Sequence, residues 1–324
     1  MVQPNPKVVA LHTGHPPAAL QRIQHHADLH ISTPEQLPHT LPGAEILYAW
    51  DFRTDALTNA WPHATHLRWI HAASAGVDHL LTPELVNSDI TLTNSRGVFD
   101  QPIAEYVLGL ILTFAKDLHT SIRLQDRKHW KHRETEQIHG KTALIIGTGP
   151  IGRAIARQLT AAGLTVNAAG RTARHDPDFG HVHRSTDLAH HAGNYDYLVL
   201  AAPLTDQTRN LVDDTVLANC KPTARIINIG RGELIDEPAL TTALQHGRIA
   251  GAALDVFHTE PLPEDSPLWD MPNVLISPHM AGDTTGWTDA LVDLFLTNLR
   301  AYTQGSKLRN VVNKKLGYVS ETEP

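Results

Sequence analysis

The feature of this chain that most constrains its fold is a glycine-rich turn between an apolar run and an amphipathic run. The segment reads ALIIGTGPIGRAIARQL and places Gly147, Gly149 and Gly152 in GxGxxG spacing. In this pattern the first glycine permits a tight turn, the second lets phosphate groups approach the backbone, and the third allows close helix–strand packing. Pro150 precedes an amphipathic helix predicted over 151–162, beginning at Ile151, whose N-terminal N–H groups favour an anion. The segment therefore predicts a strand, a pyrophosphate-binding loop and a helix.

Short apolar runs alternate with amphipathic runs along the rest of the chain. We predict strands over 8–11, 46–48, 67–71, 90–93, 142–146, 165–169, 197–201, 225–229, 252–256 and 274–277. Long helices are predicted from Pro102 and over 287–302, with a connection or surface helix over 123–139. Strands that alternate with helices form parallel sheets covered on both faces. We therefore expect an α/β fold of two doubly wound parallel-sheet domains. A Rossmann cofactor domain would span 99–289, and a flavodoxin-like substrate domain would span 1–98 and 290–324.

The composition argues against several classes of protein. The net charge is −7 and no basic block is present, so we expect no nucleic-acid partner. The most apolar stretch, 103–114, contains Glu105 and is too short to span a bilayer, and the N-terminus lacks the pattern of a signal peptide. The single cysteine, Cys220, excludes an intrachain disulfide and a cysteine-based zinc site. These features predict a cytoplasmic protein without a membrane partner.

Histidine is unusually frequent, with 22 residues. No pair has the HExxH spacing that places two metal ligands and a base on one helical face. We therefore interpret the histidines as scattered surface residues and predict no metal site.

The end of the strand after the glycine turn indicates which nicotinamide cofactor is preferred. A site that prefers NAD carries a carboxylate there to bind the ribose 2′-hydroxyl. This chain has Gly170 instead, followed by Arg171, Thr172 and Arg174. Guanidinium groups can bind a 2′-phosphate through charge-assisted hydrogen bonds. We predict NADP(H) over NAD(H); the alternative is that the two arginines are merely solvated charges.

Three further segments place ionisable residues at or just beyond predicted strands. Arg231 lies in IINIGRGELIDEPAL, Asp255 and Glu260 lie in GAALDVFHTEPLPEDSPLW, and His279 lies in NVLISPHMAG. Ligands of open parallel sheets bind beyond the carboxyl ends of the strands. We therefore expect these side chains to converge on one crevice.

At this point the chain resembles the D-isomer-specific 2-hydroxyacid dehydrogenase family, in particular its glyoxylate/hydroxypyruvate reductase-like branches. The resemblance covers nearly the whole chain and rests on five ordered motifs: GTGPIGR, PLTDQTRNLVD, NIGRGELIDEPAL, ALDVFHTEPLP and SPHMAG. It implies hydride transfer between NADP(H) and carbon 2 of a small 2-oxo or 2-hydroxy acid, specific for the D-isomer. It also implies a homodimer; the helix from Pro102 and Trp130 beyond it are a plausible interface.

The resemblance also assigns roles to the residues of the crevice. Arg231 would bind the substrate carboxylate and polarise its carbonyl group. His279 would exchange the proton on the substrate oxygen, and Glu260 would hydrogen-bond and orient the imidazole. Asp255 matches the acid at the nicotinamide carboxamide, and Pro203 lies in a matched cofactor segment.

The substrate side of the resemblance lies in HAASAGVDHL. The backbone N–H groups of Ala75 and Gly76 would form a nest for the substrate carboxylate, and the alternative is an ordinary strand-to-helix turn. Further along, Asn94 and Gly97 are interpreted as hinge and loop-forming residues. Candidate pocket walls are Trp50, Phe99, Met280 and Trp287. We also expect the active site to lie between the domains, and the C-terminal tail to return to the N-terminal domain.

Two alternatives stay open. The same scaffold could act on another small anion, such as 3-phosphoglycerate, formate or phosphite. It could also be a cofactor-sensing interaction module of the corepressor type, which retains much of the catalytic set.

Overall fold

The computed structural model describes residues 5–51 and 55–320. The chain divides into two compact units, which we call the terminal unit (Met1–Val98 and Thr284–Pro324) and the central unit (Phe99–Asp283). The return to the terminal unit thus comes between 283 and 284, a few residues before the division drawn from the sequence. The reason is that the whole last helix, which begins at Trp287, packs with the terminal unit.

The bounds of the regular elements are as follows. The strands are β1 (Lys7–Leu11), β2 (Asp28–Ser32), β3 (Ile46–Ala49), β4 (Trp69–Ala72), β5 (Thr91–Thr93), β6 (Thr142–Ile146), β7 (Thr165–Gly170), β8 (Arg174–Asp176), β9 (Gly180–Arg184), β10 (Tyr197–Leu200), β11 (Arg225–Asn228), β12 (Gly251–Leu254) and β13 (Val274–Ile276). The α-helices are α1 (Leu37–Thr40), α2 (Ala56–Ala60), α3 (Pro83–Val86), α4 (Asp100–Ala115), α5 (Leu118–Asp126), α6 (Pro150–Ala161), α7 (Leu188–His191), α8 (Asp214–Asn219), α9 (Glu237–Gln245) and α10 (Trp287–Thr303).

The terminal unit contains a five-stranded parallel sheet in the order β2-β1-β3-β4-β5. This is the flavodoxin-like order, with a change of direction between β1 and β3. The helix α10 covers one face of the sheet, where Phe295 stacks on Tyr48 with ring centroids 4.3 Å apart and on Trp69 at 5.2 Å. Stacked aromatic rings of this kind bury large apolar areas and anchor the helix to the sheet.

The C-terminal tail also packs on the terminal unit. The backbone N–H of Val312 donates to the carbonyl of Leu92 over 2.8 Å. The Nζ atom of Lys314 donates to three backbone carbonyls at the end of α3 and just beyond it, those of Leu85, Ser88 and Ile90. These contacts explain why the last residues belong with the N-terminal sheet, as the sequence led us to expect.

The central unit contains an eight-stranded sheet in the order β13-β12-β11-β10-β6-β7-β9-β8. All neighbouring pairs are parallel except β8 and β9. This is the doubly wound Rossmann order with an added antiparallel strand, and its change of direction lies between β6 and β10. The predicted α/β class with two doubly wound parallel sheets is therefore confirmed. Because β6, β7 and β10 to β13 run in the same direction, their carboxyl ends lie along one edge of the sheet.

The predicted strands agree with the observed ones to within two residues, but β2, β8 and β9 were missed. These three strands lie at or next to sheet edges, and their sequences, DLHIS, RHD and GHVHR, are polar and short. Edge strands need not alternate apolar and polar residues, so the period-2 signal is absent. The predicted connection over 123–139 becomes the end of α5 and an irregular segment.

One histidine departs from the expected surface position. His71 on β4 is completely buried, and its Nδ1 atom lies 2.7 Å from the hydroxyl of Thr93. Burial lowers the pKa of His71 to about 3, so the side chain is neutral at physiological pH.

Over the described ranges, none of the helices combines the length and the hydropathy needed to cross a membrane.

Candidate active site

The glycine loop joins β6 to α6 by close packing of backbone on backbone. Gly147 has a φ of +118°, and a Cβ atom there would lie 2.6 Å from the carbonyl carbon of Ala201. A Cβ atom on Gly152 would lie only 2.1 Å from the carbonyl oxygen of Gly147. Both distances are far below a normal contact, so only glycine fits at these two positions.

Gly149 differs from these two, because a Cβ atom there would meet no protein atom within 4 Å. Among the described residues, the backbone N–H groups of Thr148, Gly149, Ile151 and Gly152 donate to no protein atom. They lie at the start of α6, which begins at Pro150, where the helix dipole favours an anion. Open space beside unpaired donors at a helix N-terminus fits the pyrophosphate of a dinucleotide.

The segment after β7 carries the predicted 2′-phosphate ligands. Arg171 and Thr172 are exposed, and Arg174 begins β8. Asp176 ends the same strand, is almost completely buried, and accepts two hydrogen bonds from Arg153 of α6 at 2.8 and 3.0 Å. The Arg153 hydrogen bonds are the main cause that lowers the pKa of Asp176. The side chain of Arg174 also reaches Asp176, at 3.4 Å.

Asp176 therefore ties the arginine-bearing strand to the helix that follows the glycine loop. This carboxylate also offsets part of the charge of Arg174. Sequence reasoning missed its role because Arg153 and Asp176 are far apart in the chain and neither stands out from a local pattern.

Pro203 lies beyond β10, the strand that neighbours β6. The preceding residues, Ala201 and Ala202, form the backbone surface on which Gly147 packs. The carbonyl oxygen of Pro203 accepts a hydrogen bond from the Thr208 hydroxyl at 2.7 Å, which closes the loop. Pro203 thus stands on the sheet edge next to the glycine loop.

Arg231 follows β11 in a loop held by Asn228. The side-chain amide of Asn228 donates to the carbonyl of Arg231 at 2.8 Å and accepts from the N–H of Gly230 at 3.1 Å. A Cβ atom on Gly232 would lie 2.0 Å from the carbonyl carbon of Phe257. The absence of a side chain at Gly232 therefore lets the arginine loop press against the segment that leads to Glu260.

Glu260 and His279 form a hydrogen-bonded pair. The Nδ1 atom of His279 lies 2.9 Å from one carboxylate oxygen, and the other oxygen accepts the N–H of Phe257 at 3.1 Å. The two side chains are 21% and 18% exposed, so the pair is half-buried but reachable. In this arrangement Nδ1–H donates to Glu260, and proton exchange with a ligand falls to Nε2.

Asp255 holds the loop that carries His279. Its buried carboxylate accepts hydrogen bonds from the hydroxyl of Ser277 at 2.6 Å and from the N–H groups of Met280 and Ala281, each at 2.9 Å. His279 itself has a φ of +54°, which is unfavourable for a residue with a Cβ atom. The carboxylate therefore stabilises a strained loop, while the predicted contact of Asp255 with a cofactor stays a prediction.

Tyr106 of α4 extends this network and was missed by sequence reasoning. Burial is the main cause that raises the pKa of its hydroxyl, and the neighbouring Ser277 hydroxyl partly offsets that effect. Tyr106 looked like one more member of an apolar helix pattern, so no local signal could have identified it.

Ala75 and Gly76 lie in the terminal unit, beyond β4. The side-chain amide of Asn94 donates to the carbonyl of Ala75, and the hydroxyl of Ser74 donates to the carbonyl of Gly76, each at 2.6 Å. In the described part of the chain, the N–H groups of Ala75 and Gly76 donate to no protein atom. Two adjacent unpaired N–H groups fit a carboxylate.

The structure thus brings together the side chains predicted on β11 to β13. Glu260 and His279 touch, the arginine loop packs on the glutamate segment, and Asp255 supports the histidine loop. The glycine loop and Pro203 share the sheet edge with them. In residues 5–51 and 55–320, no three His, Cys, Asp or Glu side chains are placed to hold a metal ion.

Comparisons with known proteins identify the family of this chain. The sequence profile described as D-isomer specific 2-hydroxyacid dehydrogenase, NAD binding domain, matches residues 108–281. Glyoxylate/hydroxypyruvate reductase A HPR2 of Arabidopsis thaliana is 36% identical over 247 residues, which cover 75% of this chain and 77% of that protein.

Two similar solved structures are the NADPH-dependent glyoxylate/hydroxypyruvate reductases SmGhrB and SmGhrA of Sinorhizobium meliloti, each 27% identical to this chain. SmGhrB, in complex with NADP and malonate, has a TM-score of 0.82 and covers 98% of this chain and 100% of its own. SmGhrA, in complex with NADP and sulfate, has a TM-score of 0.81 with coverages of 97% and 100%. The chain belongs to the D-isomer specific 2-hydroxyacid dehydrogenase family.

Proposed function

We propose that this protein is an NADP(H)-dependent reductase of small 2-oxo acids, with glyoxylate and hydroxypyruvate as the first candidates. The observation that carries the proposal is the hydrogen-bonded pair of Glu260 and His279 at the same sheet edge as the glycine loop. Relatives named glyoxylate/hydroxypyruvate reductases support the substrate class.

The side chains act on the substrate in a defined order. Arg231 binds the carboxylate with its planar guanidinium group and polarises the neighbouring carbonyl. When bound, NADP(H) supplies or accepts the hydride that carbon 2 exchanges. His279 delivers a proton from Nε2 to the carbonyl oxygen, while Glu260 keeps Nδ1 engaged and stabilises the imidazolium form before transfer. In the opposite direction His279 removes the hydroxyl proton. D-specificity is implied by membership of the family.

The cofactor preference follows from the end of β7. Gly170 offers no carboxylate to a ribose 2′-hydroxyl, whereas Arg171 and Arg174 lie just beyond it. Guanidinium groups favour a phosphate ester over a hydroxyl. The two Sinorhizobium meliloti relatives are named NADPH-dependent and were crystallised with NADP.

The test is a turnover panel. Glyoxylate, hydroxypyruvate and bulkier 2-oxo acids are assayed with NADPH and NADH, and kcat/KM is compared. We expect the highest kcat/KM for a two- or three-carbon acid with NADPH. Binding of NADPH without turnover of any acid would instead favour the corepressor-type interaction module. Preferential turnover of formate, phosphite or 3-phosphoglycerate would move the protein to another branch of the family.

We also propose a homodimer. Large apolar side chains are exposed on α5 and just beyond it: Leu118 is 45%, Ile122 59% and Trp130 99% exposed. Such a patch is typical of an interface, and a second copy of this chain is the proposed partner. We expect light scattering to give twice the chain mass and Trp130→Ala with Ile122→Glu to give a monomer. A monomeric wild-type protein at micromolar concentration would contradict the proposal.

Location in the cytoplasm, suggested by the free buried thiol of Cys220, stays a prediction.

A further inference from the structure

We propose that Asn310, in the C-terminal tail, is a positioning residue for the substrate carboxylate. It holds the loop that follows β5, and that loop holds the nest, by which we mean the backbone N–H groups of Ala75 and Gly76. The inference rests on the proposed function and deepens it, because it makes a residue far away in the chain responsible for the shape of the carboxylate site. Asn310 acts on the 2-oxo acid through other residues rather than by contact.

The loop after β5, residues 94–96, is hydrogen-bonded to the segment that carries the nest. The side-chain amide of Asn94 donates to the carbonyl of Ala75 at 2.6 Å. The backbone N–H of Ser95 donates to the carbonyl of Ser74 at 2.9 Å. Asn94, Ser95 and Ser74 are buried, so a broken bond here would leave a polar group without water to replace its partner. The two segments are therefore expected to move together.

Each of these two bonds fixes the direction of one N–H group of the nest. A peptide bond is planar, so the carbonyl of one residue and the N–H of the next residue point in fixed, opposite directions. The bond from Ser95 to the carbonyl of Ser74 therefore orients the N–H of Ala75. The bond from Asn94 to the carbonyl of Ala75 likewise orients the N–H of Gly76. Both donors of the nest thus depend on where the loop after β5 lies.

Asn310 holds that loop with its side chain and its backbone. Its side-chain amide donates to the carbonyl of Asn94 at 3.2 Å and to the carbonyl of Arg96 at 2.8 Å. Its own backbone carbonyl accepts the N–H of Asn94 at 3.2 Å. The φ of Asn310 is +58°, in the left-handed region that asparagine adopts more readily than most residues. The residue type therefore suits both the backbone conformation and the two carbonyl acceptors.

The tail is anchored on both sides of Asn310. Asn298 of α10 is completely buried; its side chain donates to the carbonyl of Arg309 at 3.1 Å and accepts the N–H of Arg309 at 2.8 Å. Beyond Asn310, the N–H of Val312 donates to the carbonyl of Leu92 in β5. These contacts fix Asn310 independently of the loop that it holds, so the residue can act as a rigid support.

Lys314 provides a matched control in the same tail. Its hydrogen bonds go to the carbonyls of Leu85, Ser88 and Ile90. Ile90 directly precedes β5, whereas Asn94 directly follows it, so Lys314 contacts the opposite end of the strand from the nest. Lys314→Met therefore weakens attachment of the tail without removing a bond to the loop after β5. If the tail only stabilised the fold, substitutions of Asn310 and Lys314 would have the same kind of effect.

The experiment measures KM and kcat for glyoxylate and hydroxypyruvate with NADPH. Calorimetry adds the Kd of NADPH and, at saturating NADP⁺, the Kd of oxalate, an unreactive acid of the size of glyoxylate. Asn310→Gly accepts the left-handed backbone and removes both donors. Asn310→Asp keeps the size of the side chain and turns an acceptor toward the two carbonyls. The second variant covers the case in which the first does not fold.

We expect both Asn310 variants to raise KM and the Kd of oxalate by about tenfold, with kcat within about twofold of the wild type. The physical reason is that the nest binds the carboxylate equally before and during hydride transfer. The Kd of NADPH should not change. Lys314→Met should lower the unfolding temperature and leave KM unchanged. The proposal is overturned if Lys314→Met raises KM as much as Asn310→Gly, or if the Asn310 variants leave KM and the Kd of oxalate unchanged.

A double-mutant cycle tests whether Asn310 acts through the loop. Asn94→Ala alone should raise KM, and its combination with Asn310→Gly should raise KM by clearly less than the product of the two single effects. Effects that simply multiply would also overturn the proposal. A wild-type protein that turns over no 2-oxo acid and does not bind oxalate would refute the proposed function itself, a result that differs from an active wild type with unaffected variants.

Discussion

The two halves of the carboxyl edge of the central sheet are built in different ways. At the glycine loop, backbone packs on backbone: Gly147 rests on Ala201, and Gly152 on Gly147. At the loops after β11 to β13, which we call the catalytic edge, side chains make the contacts, chiefly Asn228 and Asp255. At Gly147 and Gly152 the first half has no room for an added side-chain atom, whereas the second half depends on particular hydrogen bonds. Substitutions in the two halves should therefore fail in different ways, one in folding and the other in chemistry.

The largest expected effect tests the catalytic edge. His279→Ala removes the group that we propose as the donor and acceptor of the substrate proton, so kcat should fall by about 1000-fold. NADPH affinity and the free energy of unfolding should change little, because the ring is only half-buried. Steady-state kinetics measure kcat, calorimetry measures the NADPH affinity, and urea unfolding measures the free energy of unfolding. A kcat near that of the wild type would remove His279 from the mechanism.

The glycine loop should respond in the opposite way. Gly152→Ala places a Cβ atom 2.1 Å from a carbonyl oxygen, so we expect a loss of about 3 kcal/mol or more in the free energy of unfolding, or no folded protein. Gly149→Ala is the matched control, because its Cβ atom meets no protein atom within 4 Å. The free energy of unfolding of that variant should equal that of the wild type, but NADPH should bind more weakly. If both variants were equally unstable, Gly149 would also be needed for packing, and the space beside it would not be reserved for a ligand.

Asp255→Asn probes the support of the catalytic edge. The amide cannot accept all the hydrogen bonds that the buried carboxylate receives, and its NH2 group would face a backbone N–H. We expect a loss of about 2–3 kcal/mol in the free energy of unfolding and a kcat about tenfold lower as the His279 loop relaxes. Ser277→Ala removes a single hydroxyl donor and should cost about 1 kcal/mol. Equal effects of the two substitutions would show that the loop does not depend on the carboxylate.

The smallest expected effect concerns the terminal unit. It tests whether the loss of folding stability at low pH originates outside both halves of the carboxyl edge of the central sheet. The hydroxyl of Ser95 donates to the carbonyl of Ala72, so its oxygen is the acceptor for Nε2–H of His71. Nδ1 of His71 is then unprotonated and accepts from the hydroxyl of Thr93. The pKa of His71 is about 3 when folded and near 6.5 when unfolded, so below pH 6.5 only the unfolded chain gains the proton.

Stability should therefore decrease as the pH falls from 6.5 toward 3, by about 2 kcal/mol at pH 5. Urea unfolding at several pH values measures this slope, and His71→Gln should remove it. An unchanged slope in that variant would place the acid sensitivity in another group.

Much of the architecture could be predicted because local patterns report local structure. The spacing of three glycines identified the loop, and apolar runs located the central strands to within two residues. Edge strands such as β2 and β8 were missed because a short, partly exposed strand has no apolar–polar alternation to detect. Asn228 was missed for a different reason: it acts through a hydrogen bond that no sequence spacing predicts.

The sequence by itself determined the α/β class, the order of the motifs and the identity of the arginine, glutamate and histidine that we place in the mechanism. These depend on chemistry and periodicity that a linear pattern carries. Only the tertiary structure decided which atoms meet: that Asp255 supports the His279 loop and that Asp176 pairs with Arg153. Such contacts join residues that are distant in the chain, and their distances depend on how helices and strands pack, which no local stretch of sequence encodes.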